Sequence, residues 1–303
     1  MEFIQNFVSA HNVLISAGIL ILAYIFIATE KIPKVTIALL GAGITIVLGL
    51  VSQLKTVGGA LNPYYFVNFI DFNVIFLLVS MMIIVNITTR SGVFSYLANE
   101  LMKATKGHPV LILVALGVFT AVVSAFLDNV TTVILILPIT FAIAKKLEID
   151  PIPFLLTEVF ASNIGGTATL IGDPPNIIIG SAAGFSFMDF INNLTGVVAI
   201  ILFSVIAFLS IMFKSKLHAD EAKMKEISEF DNSKTITDKN LMIRSMIVLG
   251  LVILGFVTHD ITHIETCVAA MLGASFLLLF EKPTNILKDV EWNTIFFFIG
   301  LLD

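Results

Sequence analysis

The chain is dominated by long apolar runs, near 12–28, 35–52, 72–89, 110–144, 153–184, 194–213, 244–258, 264–280 and from 292 onward. Most are about 15 to 20 residues long, enough for a helix to approach or cover a hydrocarbon core roughly 30 Å thick. Hydrophobic residues make up 57% of the sequence and charged residues 13%, a balance that excludes an ordinary soluble domain. The expected fold class is an all-α polytopic membrane protein, because a segment in lipid must satisfy its own backbone polar groups. No Lys or Arg precedes the first run and no small-residue cleavage site is evident, so it reads as a retained helix and not as a signal peptide. The single Cys267 lies in an apolar run, which excludes disulfides and cysteine metal sites.

The basic residues orient the chain. If 110–144 is a re-entrant hairpin turning near Ser124 to Asn129, each arm has about 15 residues and about 22 Å, too short to span. The segments before and after it then share one side of the membrane. Of the 17 basic residues, only Lys55 falls on the opposite side, and the positive-inside rule makes that side external. Reading 110–144 as one crossing would move Lys145, Lys146 and the charged segment beginning at Lys214 outside. The hairpin reading is therefore expected, with an external N-terminus and a cytoplasmic entry.

Three parts are expected: an N-terminal membrane half, 1–213, with the hairpin 110–144 and a broken helix 153–184; a cytoplasmic linker, 214–243; and the start of a second membrane repeat, 244–303. The linker is too short to build a core of its own and reads as solvated chain between two halves. The repeat rests on Asp71-Phe72-Asn73-Val74-Ile75-Phe76, echoed by Glu291-Trp292-Asn293-Thr294-Ile295-Phe296, and on Ala38-Leu39-Leu40-Gly41-Ala42, echoed by Ala270-Met271-Leu272-Gly273-Ala274. The charge bias makes the two copies run in opposite directions, the inverted-repeat arrangement of many secondary transporters. The second copy stops soon after its signature. The expectation is an incomplete second repeat, lacking a second hairpin and broken helix, in a fragment or truncated product.

Two polar clusters interrupt the apolar sequence. At the expected hairpin tip stand Ser124, Asp128, Asn129, Thr131 and Thr132; in the broken helix stand Ser162, Asn163, Thr167, Thr169, Asp173 and Asn176, punctuated by Gly165, Gly166 and Gly172. Polar, irregular backbone survives at bilayer depth only where it lines a site. The side chains are hard oxygen ligands, suited to Na⁺ or a proton. The glycines let the backbone leave helical geometry and approach a ligand closely. Asp173, followed by Pro174, is placed to N-cap the second half-helix or to bind an ion. The positive end of that half-helix favours an anion, and the carbonyl end of the preceding half favours a cation. Asp128 is harder to explain structurally, since a carboxylate at a buried turn must be paired or used. Glu158 is a candidate proton carrier, or else lies near the cytoplasmic interface.

Other polar residues have cheaper explanations. Asp71 and Glu291 sit at helix starts, where acids are common. His259, Asp260, His263 and Glu265 read as an external loop and not a metal centre. The glycine run lacks the Lys-Ser/Thr of a phosphate loop and follows no strand, and neither nucleotide nor nucleic acid is expected as a partner. No nucleophile and base occur at helical spacing, so the chain is not expected to be an enzyme.

The sequences Leu127-Asp128-Asn129-Val130-Thr131-Thr132, Leu137-Pro138-Ile139, Asn163-Ile164-Gly165-Gly166-Thr167-Ala168-Thr169 and Ile171-Gly172-Asp173-Pro174-Pro175-Asn176 resemble the arsenite-permease and NhaD-type (ArsB/NhaD) superfamily of ion transporters. The likeness is closest to its branch containing the melanosomal P protein, with citrate and dicarboxylate transporters more distant. The resemblance implies a helical scaffold with a moving transport domain, commonly a homodimer in a plasma membrane, working by an elevator-type movement. In the dicarboxylate branch the tip reads Ser-Asn-Thr, and Ser or Thr usually replaces Asp173. Two carboxylates here should disfavour a dianion and favour coupling to a cation or proton. The expected function is secondary active ion transport, either Na⁺/H⁺ antiport or proton- or sodium-coupled anion transport. An organic-anion or arsenite permease is the alternative, and an inactive fragment or a half-transporter is the alternative of another class. No cofactor is expected beyond Na⁺ or H⁺ as coupling ion.

Overall fold

The computed structural model describes residues 11–48, 50, 70–228, 232 and 235–302. The described residues form helices and no strand: α1 Asn12–Ala28, α2 Lys34–Val47, α3 Phe72–Arg90, α4 Val93–Ala104, α5 Pro109–Ser124, α6 Asn129–Leu147, α7 Ile152–Gly166, α8 Pro174–Ala183, α9 Phe187–Lys216, α10 Glu221–Ser228, α11 Lys239–Val257, α12 Thr266–Leu278 and α13 Trp292–Leu302, with shorter turns between them. Lys55, the end of the run 35–52 and the N-terminal residues 1–10 lie outside the described residues.

Helices α3, α6, α9 and α11 are long and apolar enough to cross a membrane by length and composition. The protein is a polytopic helical membrane protein. The 110–144 segment is a helical pair turning over residues 125–128, but its arms are unequal. α5 has 16 residues and α6 has 19, so the expectation of two arms too short to span fits α5 and fails for α6. The reason is local: Lys145 and Lys146 continue the helix until Glu148 turns the chain at φ 53°. α9 likewise starts earlier than its apolar run, at a capping box in which Ser186 Oγ accepts from Asp189 N and Asp189 Oδ2 accepts from Ser186 N. α11 begins at Lys239 because Asp238 accepts from the backbone N–H groups of Asn240 and Leu241.

The chain divides into two compact units, Met1–Ile75 with Glu291–Asp303, and Phe76–Val290. In the first, α2 packs on α1 and on α13, and Gly300 lies so close to Ala38 that a Cβ there would stand 2.8 Å from its carbonyl carbon. In the second, α5 and α7 form the tightest pair, with α6 and α9 packed on α7 and α4 on α5 and α6. Ile112, Leu113 and Leu116 of α5, Ile136 and Ile143 of α6, Phe154 of α7 and Leu209 of α9 close one buried cluster.

The sequence repeat falls on corresponding elements. Phe72 and Trp292 are the first residues of α3 and α13. Ala38 and Ala42 are buried in α2, and Ala270 and Ala274 are buried in α12. Asp71 Oδ1 accepts from Asn73 N at 2.9 Å and caps the first turn of α3, whereas Glu291 Oε2 accepts from the Thr294 hydroxyl at 3.0 Å.

The segment 214–243 is more than solvated chain. α10 packs on α4 and α6, and Lys223 Nζ reaches Glu148 Oε2 at 2.5 Å. Asn232 is buried; its Nδ2 donates to Tyr96 O and Glu100 Oε1, each at 2.9 Å, and its Oδ1 accepts from Asn99 Nδ2, also at 2.9 Å. These bonds use α4, an amphipathic helix with Val93, Phe94, Ala98 and Met102 buried. The apolar-run reading passes over α4 because only one stripe of it is hydrophobic.

Candidate ion site at the hairpin tip and the broken helix

The tip of the α5–α6 hairpin meets the gap between α7 and α8 through small residues. A Cβ on Gly165 would run into the backbone of Ala121, and a Cβ on Gly172 would stand 2.8 Å from Ser124 O and 2.9 Å from Gly166 Cα. Neither glycine has positive φ. The glycines are expected to let the backbone leave helical geometry and approach a ligand; Gly165 and Gly172 lie instead against neighbouring backbone, and Gly165 and Gly166 remain within α7.

Asparagine side chains join the two clusters. Asn129 Nδ2, on the first residue of α6, donates to Asn163 Oδ1 at 3.3 Å and to Asp173 Oδ2 at 3.4 Å. Its Oδ1 faces Gly166, where a Cβ would lie 3.0 Å away, and this oxygen is buried without a hydrogen-bond partner. Thr132 Oγ1, on the same first turn, is also buried and unpartnered. Asp128, Asn129 and Asp173 are half-buried, whereas Asn163 and Thr167 are exposed.

Of the two carboxylates, Asp128 and not Asp173 makes a side-chain cap bond. Asp128 N-caps α6: its Oδ2 accepts from Thr131 N at 3.0 Å and from Thr131 Oγ1 at 3.2 Å. Asp173 occupies the N-cap position of α8 with extended backbone but makes no side-chain cap bond. Its carboxylate instead receives Asn129.

The helix ends at the gap are also occupied. Asn176 Nδ2 donates to Gly166 O at 3.2 Å and Thr169 O at 2.8 Å. Thr195 Oγ1 donates to Ala168 O at 3.1 Å from a π turn, Ile191–Thr195, at the start of α9. Ser124 Oγ donates to Ser162 O at 2.8 Å, Thr167 Oγ1 to Asn163 O at 2.9 Å, and Thr169 Oγ1 to Ala125 O. At the start of α8, Pro174 and Pro175 lack an N–H, and Asn176 N donates to Asp173 O at 2.9 Å. The carbonyl end of α7 and the start of α8, where a cation and an anion are expected, thus already carry bonds from the protein's own groups. The carbonyls of Gly166, Ala168 and Thr169 accept side-chain bonds, while Asn129 Oδ1 and Thr132 Oγ1 have no hydrogen-bond partner.

Glu158 lies one turn before Ser162 and is wholly buried within the protein. Its Oε1 accepts from Thr140 Oγ1 of α6, and its Oε2 is buried without a partner. Thr140 and Thr195 carry no local signal in the sequence; each acquires its role only when a distant helix arrives. Among the described residues no group of three His, Cys, Asp or Glu side chains is placed to hold a metal, and His259 Nδ1 lies 2.7 Å from Ile264 O, closing its own loop.

With this geometry in view, comparison with known proteins decides the family. A citrate transporter family model matches residues 24–302. The chain belongs to the citrate transporter family. It is 40% identical over 289 residues to a protein of Mycobacterium bovis described as an uncharacterized transporter, covering 95% of this chain and 66% of the relative. The 46 kDa membrane protein of Mycobacterium leprae is 41% identical over 289 residues, with the same coverage. The P protein of Homo sapiens is 38% identical over 168 residues, 55% of this chain and 20% of its own length. The chain spans about two thirds of the mycobacterial relatives, 66%. The expected likeness to the P protein branch is found, and relatives named as transporters accompany it.

Proposed function

We propose that this protein is a secondary active ion transporter whose hairpin tip and broken helix bind the coupling cation, Na⁺ or H⁺. The observation that carries this reading is Asn129. Its amide nitrogen is engaged by Asn163 and Asp173, which turns an unpartnered, buried oxygen toward the gap. A buried acceptor without a donor is costly unless a ligand completes it. Amide, hydroxyl and carboxylate oxygens are the donor set of a hard cation. Asp173 contributes charge because it is not spent on capping. Na⁺/H⁺ antiport is the form that this donor set favours, and an elevator-type movement of a homodimer in a plasma membrane is the form that the family resemblance implies. Cation-coupled citrate transport is the second reading, favoured by the family whose model the chain matches.

Thermal unfolding of the purified chain in detergent tests the site directly. Na⁺ should raise the midpoint relative to choline, since a ligand that binds only the folded state stabilises it. Asp173→Asn should weaken the Na⁺ response at least tenfold, about 1.4 kcal/mol. Identical midpoints in the two salts would overturn the cation site. Proteoliposomes holding the same chain, assayed for Na⁺-driven proton movement and for labelled citrate uptake, separate the two readings.

A further inference from the structure

We propose that Glu158 is the proton-binding site of this carrier, separate from the Asn129 and Asp173 cation site and coupled to it along α7. The proposal rests on the cation-site reading above. Glu158 is 0% exposed, and Thr140, its one hydrogen-bond partner, is 1% exposed. The second carboxyl oxygen has no partner. A carboxylate held in this way, in the interior of a membrane bundle, lacks both solvent and a counter-charge, the setting in which such groups take up a proton.

No neighbouring helix supplies a counter-charge. α5 carries no titratable side chain. α6 carries none between Asn129 and Ala144; Asp128 is at its cap, and Lys145 and Lys146 are at its far end. α9 carries Asp189 near its start and Lys214 and Lys216 at its end, with none between. α7 has no other titratable group. Thr140 can bond either protonation state, but it bonds the carboxylate more strongly, because a hydrogen bond to a charged acceptor is the stronger one.

The coupling follows from distance and charge. Glu158 and Asn163 are five residues apart on one helix, about 7.5 Å along its axis. A cation arriving beside Asn129 and Asp173 makes a proton at Glu158 less favourable through a poorly screened medium. Proton and cation then bind in competition, as antiport requires. Ser162, between them, anchors that stretch of α7 to the hairpin tip through Ser124.

Proton release on Na⁺ addition, read with a pH dye in weakly buffered detergent solution, tests the proposal. The protein should release protons, and Glu158→Gln should abolish release while keeping the Na⁺-dependent rise in unfolding midpoint. Release from Glu158→Gln equal to that of the parent protein would overturn the proposal. So would a parent protein that responds to Na⁺ in unfolding but releases nothing. Absence of both responses would instead sink the cation site, and the infrared carbonyl stretch of a protonated carboxyl, lost in Glu158→Gln, would still decide whether Glu158 holds a proton. Should Glu158→Gln fail to fold, Thr140→Val provides the second test: it should move the pH of half-release by about one unit, and an unmoved midpoint would count against the assignment.

Discussion

Asn129 Nδ2 lies 3.4 Å from Asp173 Oδ2, and this bond joins the hairpin tip to the start of α8 across 44 residues of chain. Because the same nitrogen also reaches Asn163, one amide touches both halves of the interrupted helix. The arrangement fixes which end of the amide looks into the gap.

Asp128 caps α6 and also brings charge to the tip, and two substitutions separate these roles. Asp128→Asn keeps a good cap and should leave the unfolding midpoint unchanged, while weakening the Na⁺ response at least tenfold. Asp128→Ala loses the cap as well and should cost about 1 kcal/mol of stability. Thermal unfolding with and without Na⁺ reads both effects.

Gly165 has no room for a side chain against the Ala121 backbone. Gly165→Ala should destabilise the bundle by about 1–3 kcal/mol or more. Gly196→Ala, placed where nothing lies within 4 Å, should be neutral or slightly stabilising through helix propensity. The pair of unfolding midpoints in detergent checks this, and equal losses would count against the close crossing.

Asn176 donates to two carbonyls that no other described group satisfies in the gap. Asn176→Asp keeps the shape but removes the donors, so each carbonyl loses about 1–3 kcal/mol. The expected outcome is a marked fall in stability together with weaker Na⁺ binding, measured by thermal unfolding.

Glu100 answers to pH through the docked linker. Hydrogen bonds from Asn232 and then Lys103 hold its carboxyl below the ordinary value of 4.5. A lowered folded value means that the contribution is complete above the unfolded value and is lost as pH falls through the folded one. Limited proteolysis of the linker should therefore accelerate at strongly acidic pH and stay constant near neutrality. Asn232→Ala should speed cleavage at neutral pH and abolish that dependence.

Much of the fold is legible in residue type and spacing. The apolar runs locate α1, α3 and α12 closely, since in lipid the hydrophobic stretch and the helix coincide. Boundaries set by polar caps are different: Asp238 and Ser186 start α11 and α9 before the apolar residues begin. α4 escapes notice because its burial is one-sided. At the site, residue types mark where the polar clusters lie but not how they divide their work. The sequence marks Asp173 as the cap candidate, yet Asp128 makes the cap bond, and the position of Asn129 beside Asp173 appears only in three dimensions. The role of Thr140 depends on α6 meeting α7 and has no trace in its own neighbourhood.

The carbonyls around the gap are bonded by Ser124, Thr167, Asn176 and Thr195, all of them the protein's own side chains. The unwound stretch thus has its shape held by side chains of the protein itself. Under the ion-transport function proposed above, an ion would enter a cradle that already stands, and no refolding step would limit its refilling.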